Sequence, residues 1–118
     1  MAGDLRRISA EGKVTTVATR LSARNLPPAN VSQRNYHMGL WTNKEGRVYV
    51  AVAMERLVLH VREDGRAEVP ARSGAPWSPS GGIFAGDGSL WLLEYNSANS
   101  VRARHVGLDG KEQIFPAL

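Results

Sequence analysis

The chain has 118 residues, 42% hydrophobic and 22% charged, the balance of one small globular domain rather than a disordered segment. It contains no cysteine, which excludes a disulfide framework and any thiolate metal site. Fifteen Lys and Arg against eleven Asp and Glu give a net charge of +4, but the basic residues are dispersed, with no stacking pattern of aromatics among them, so nucleic acid is not an expected partner.

The chain opens with MAGDLRRISA, which has no apolar leader. No window approaches the roughly 18 apolar residues of a membrane span. A membrane is therefore not an expected partner, and read as complete the chain is expected in the cytoplasm. LRRISAEG (5–12) followed by KVTTVAT predicts two short strands joined by a glycine turn. The stretch LSARNLPPANVSQRNY (21–36), with adjacent prolines and several asparagines, reads as a connecting loop. Its NVS matches a glycosylation acceptor, and without a secretion signal the match is expected to be chance. HMGLWT, the turn NKEG and RVYVAVA then predict a hairpin, and VLHVREDG (58–65) leading into RAEV predicts a second. After the proline-punctuated ARSGAPWSPS the same series returns: GGIFA, the turn GDG, SLWLLE, then ARHVGLDG (103–110) leading into KEQIF. No stretch carries helical spacing long enough to compete.

These segments are copies of one another. Aligning Gly46 with Gly88 places Val48 on Leu90, Tyr49 on Trp91 and Val50 on Leu92, 42 residues apart. His60 falls on His105 and Gly65 on Gly110, while LRRISAEG supplies a third copy of that element. Four short antiparallel strands repeating at a little over about 40 residues is the period of a β-propeller blade. The chain is thus expected to be all-β: a half blade at 4–19, then blades at 37–70 and 80–116. A β-sandwich or small barrel is the competing architecture, and it does not require the internal repeat.

The stretch PSGGIFAGDGSLWLLEYNSANSV resembles the NHL-type propeller repeat, with proline and glycine before a hydrophobic strand, a glycine turn, and a strand carrying an aromatic. It is similar in equal measure to blades of gluconolactonase-like and senescence-marker-like propellers and of virginiamycin B lyase. In the lyase group Trp91, Glu94 and Asn99 match a typical strand ending. The resemblance implies the fold more than the chemistry, because such blades serve enzymes and binding scaffolds alike. It implies rings of about six blades, where this chain has two and a half. Self-association is the expected remedy, with segment 4–19 packing against a neighbouring chain.

In a propeller, residues 20–37, 53–56, 71–80 and 94–100 share one face, so chemistry is expected there. His37, at the mouth of an innermost strand, is the candidate acid or base together with Glu94. Glu94 ends an otherwise apolar strand, LWLLE, and is also the candidate ligand for a divalent cation such as calcium, which prefers oxygen; capping nearby loop amides is its alternative role. Asn35, Tyr36, Trp77, Asn96 and Asn99 are the candidate contacts for a small-molecule ligand. His60 and His105 read as structural, and the alternating arginines as a solvated face. No nucleophile elbow, phosphate loop or EF-hand is present. The functional expectation is a lactonase- or lyase-like partial propeller that binds a small ligand without a complete active site; the alternatives are a protein-interaction scaffold and a fragment of a metal-dependent lactonase or lyase.

For the core, strand alternation predicts Val48, Val50, Val52, Ile83, Leu90 and Leu92 buried between blades, with Tyr49 and Trp91 on the opposite face.

Overall fold

The computed structural model describes residues 4–18 and 37–117, and places His37 in its strand. Among the described residues there are ten strands and no helix. They are β1 (Leu5–Ile8), β2 (Val14–Ala18), β3 (His37–Thr42), β4 (Val48–Val52), β5 (Leu57–Val61), β6 (Ala67–Arg72), β7 (Ser78–Phe84), β8 (Leu90–Tyr95), β9 (Val101–Val106) and β10 (Glu112–Pro116). Each pairs antiparallel with its neighbour in sequence, giving sheets β1–β2, β3–β4–β5–β6 and β7–β8–β9–β10.

The hairpins share one local design. Asn43 accepts the amides of Glu45 (3.1 Å) and Arg47 (2.9 Å) on its side-chain oxygen, and Gly46 follows with φ +78°. That left-handed conformation costs an L side chain energy and costs glycine none, which is why the turn ends there. Asp64, Asp87 and Asp109 accept the amide two residues on in the same way. At Asp87 the Ser89 hydroxyl adds a second bond at 2.6 Å, and these two bonds hold its carboxyl below the usual carboxylate range.

The middle sheet, β3–β6, is covered on both faces. On one side Leu5 and Ala18 of the two-stranded sheet pack against Val50, Val52, Leu57, Leu59 and Val61. On the other, Tyr49, Val58 and Ala71 pack against Leu90 and Leu92, with Trp41, Phe84 and Val106 at the margin. This explains why β4 and β5 are apolar without alternation: both sets of side chains leave water. β1 and β2 pack on the middle sheet of their own chain, where Leu5 and Ala18 complete its apolar face.

The two four-stranded sheets touch backbone to backbone at one edge. A Cβ on Gly39 of β3 would lie 2.5 Å from the Ser80 carbonyl oxygen and 2.8 Å from the Gly81 Cα of β7. A Cβ on Gly82 would lie 2.6 Å from the Trp41 ring. Elsewhere the sheets are held apart by the Tyr49, Val58 and Leu92 layer, so glycine sets how closely β3 and β7 converge. Gly39→Ala has backbone to displace, and is expected to cost on the order of 1–3 kcal/mol, read as a lowered melting temperature.

Core alternation holds for Val50, Val52, Leu90 and Leu92, all buried, and Val48 packs at the core's edge. Tyr49 lies on the opposite face and meets the next sheet, as expected. Ile83 does not follow: it is 66% exposed. Its register partner is Trp91, whereas Leu92 is opposite Gly82, so Ile83 points away from the sheet-to-sheet contact. Trp91 lies on that same outer face, against His105 and Phe115 of its own sheet.

Candidate functional site

The strand order sends the turns alternately to two ends. One end gathers the β4–β5 turn, the β6–β7 connection and the β8–β9 turn, with Trp77, Glu94, Asn96 and Asn99. Glu94, on β8, is fully buried there. Its Oε1 accepts Arg102 Nε at 2.8 Å. Its Oε2 accepts Arg104 Nη2 at 3.0 Å and the hydroxyl of Ser73. Arg104 also donates to Glu112 Oε1 (3.0 Å) and to the Arg72 carbonyl (2.9 Å). One carboxylate therefore joins the β6–β7 connection to β8 and β9, and through Arg104 to β10.

The positions of these charges follow from the ladder. Glu94 is directly opposite Arg102, and Leu92 opposite Arg104, so all four side chains leave the same face of the sheet, toward β3–β6. Arg102 and Arg104 are thus not a solvated face, as expected from alternation, but part of a buried ion cluster: Arg104 is 4% exposed. The signal available in the sequence was the single acid ending LWLLE, which needs basic partners if its face is buried. Arg102 further lies 4.2 Å above the ring of Trp77, which keeps that indole in place beside the cluster.

Asn96 and Asn99 sit in the β8–β9 turn. Asn96 Oδ1 accepts the amides of Ala98 (3.0 Å) and Ser100 (3.1 Å), repeating the bonds of Asn43. Asn99 has φ +60° and occupies the place that Gly46 holds in that earlier turn. Asparagine tolerates this conformation better than most side chains, and the turn by itself accounts for both residues. Asn35 and Tyr36 lie outside the described residues. His37 begins β3, paired with Val52. Among the described residues no three His, Asp or Glu side chains are grouped to hold a metal ion.

The opposite end carries a feature the sequence did not announce. An open groove of about 820 Å³ runs between β1–β2 and the edge of β3–β6, with Leu5, Arg7, Leu40, Arg47 and His60 among its lining. His60 stacks on Tyr49, ring centres 4.9 Å apart. Burial, reinforced by Arg47 and Arg62, lowers its pKa below the ordinary histidine value. Glu68, 3.6 Å from Nδ1, pulls the other way, but that carboxylate is engaged by Arg62 and its field is partly cancelled. Burial and the two arginines thus favour the neutral ring, which fits a structural stack. A smaller cavity of about 410 Å³ separates the β3–β4 and β7–β8 turns.

The class of protein defined by these features is an all-β one, built from consecutive four-stranded antiparallel meanders stacked face to face. Comparison with family models, with curated proteins and with solved structures finds no match to the chain.

Proposed function

We propose that the chain is a partial β-propeller of the lactonase- or lyase-like kind that serves as a binding scaffold, meeting a small ligand at the end of the stack that holds Trp77, with no catalytic centre on its described residues. The repeat of four-stranded sheets and their convergence along β3 and β7 support the propeller reading, since blades around an axis must approach at their inner strands.

The observation that carries the functional part is Glu94. A general base or cation ligand needs a lone pair facing its substrate or ion. Glu94 instead spends both oxygens on Arg102, Arg104 and Ser73, and none of its surface reaches water. Its role in this reading is to hold the β6–β7 connection, and with it Trp77, in place. What remains for a ligand is the half-buried Trp77 ring and the terminal nitrogens of Arg102, which make no hydrogen bond among the described residues; together they suit a flat, acidic small molecule.

A thermal-melt series tests this. Calcium, manganese and zinc are expected to leave the melting temperature within about 1 °C, because a ligand stabilises only the state it binds. Benzoate, as a flat carboxylate probe, is expected to raise it, and Trp77→Ala to remove that rise. A rise of several degrees with one of the cations, abolished in Glu94→Gln, would overturn the scaffold reading in favour of a metal-dependent enzyme.

A further inference from the structure

Among the described residues both faces of β3–β6 are covered, whereas each flanking sheet is covered on one face only. The repeat identifies what the open faces are. The face of β3–β6 that receives β7–β10 carries Trp41, Tyr49 and Val58. The matching positions in the last sheet are Ile83, Trp91 and Ala103, on its outer face. There Ile83 is 66% exposed, and Leu93 and Phe115 on the same face are 52% and 47% exposed. Read along the ladders, that outer face carries no Asp, Glu, Lys or Arg on any of its four strands. A sheet face turned permanently to water is expected to be polar.

The other end of the stack shows the complementary half. Ile8 occupies the repeat position of Val61 and Val106, which are both packed in core clusters. Ile8 is itself 72% exposed, and its cross-strand partner Val14 is 54% exposed. Arg6, on the same face, lies 3.7 Å from Asp4. One chain therefore displays both surfaces of the contact it already makes internally between consecutive sheets.

We infer that copies of this chain associate head to tail: the outer face of β7–β10 of one copy receives the Ile8–Val14 face of β1–β2 of the next. The inference rests on the stacked-blade reading above and continues the internal contact between β3–β6 and β7–β10. Such a contact uses two different surfaces, so it closes into a ring or extends into a chain of copies.

Sedimentation velocity over a range of protein concentrations tests it with three proteins. The wild-type chain is expected to assemble beyond the 12.9 kDa monomer as concentration rises. A tail variant, Ile83→Lys with Leu93→Lys, and a head variant, Ile8→Lys with Val14→Lys, each replace exposed side chains and keep one face intact. Each alone is expected to stay monomeric, and an equimolar mixture of the two to form a one-to-one dimer and nothing larger. Should the lysine pairs disturb folding, cross-linking of mixed light and heavy wild-type copies is the second measurement. Lys13 beside β2 and Lys111 beside β10 lie at opposite ends of one stack, so a Lys13–Lys111 link between light and heavy copies supports the contact. A folded wild-type monomer at every concentration, self-association of either variant, or absence of that link in assembled protein overturns it. The cation and benzoate series is independent of this outcome, so failure of the contact and failure of the scaffold reading are told apart.

Discussion

Glu94→Ala is expected to destabilise the chain by about 3–5 kcal/mol, because removing one member of a buried ion cluster leaves the others charged and unpaired. Arg104 is 4% exposed and would keep Glu112, the Arg72 carbonyl and the Ser73 hydroxyl but no buried carboxylate, and Arg102 would lose the carboxylate that positions it over Trp77. The loss should appear as a shifted midpoint in urea at nearly unchanged slope. The double change Glu94→Leu with Arg104→Met removes the orphaned charge as well as its partner, and is expected to recover much of the loss. A single-variant loss below about 1 kcal/mol would mean that Ser73 and the arginines are held by something other than this carboxylate.

Leu92→Ala carries the second large effect, about 2–5 kcal/mol, since Leu92 is 1% exposed in the layer with Tyr49 and Val58 and a cavity there has rigid walls. Its neighbour makes the internal control. Leu93 is 52% exposed on the other face of the same strand, and Leu93→Ala in the monomer is expected to change stability by no more than about 0.5 kcal/mol. Equal losses for the two residues in equilibrium unfolding would contradict the assignment of faces in β8.

Much of this architecture was readable from the chain. Gly46 and Gly88, Gly65 and Gly110 mark hairpins that recur because the turn chemistry is local and needs few residue types. The repeat then fixed which strands are equivalent, and alternation from Val50 and Leu92 gave the main core. Where alternation was carried across a hairpin it failed. Ile83 was placed by strand alternation with Leu90 and Leu92, but the register running back from the turn pairs Phe84 with Leu90 and Ile83 with Trp91, which puts Ile83 on the other face.

The charges were legible only in part. Arg102 and Arg104 alternate like a solvated face, and only the cross-strand register with Glu94 and the approach of Ser73 from another sheet turn them inward. Asn96 and Asn99 also carried a turn signal: NSANS repeats the spacing of NKEGR, with asparagine in the glycine position. The groove beside His60 was not legible at all, because it is bounded by β1–β2 on one side and β3–β6 on the other.

Among the described residues every strand pairs with a neighbour in sequence, and side chains together with the close β3–β7 contact join the two four-stranded sheets. Loop closure is therefore cheap throughout, and each meander can assemble before its neighbours do. Stability in such an arrangement is graded along the stack rather than shared evenly. The middle sheet, shielded on both faces, is expected to open to solvent most slowly in amide exchange, and the outermost strands, β2 and β10, to open first. The chain thus combines a rigid centre with restless ends, and those ends are the surfaces through which one copy would meet another.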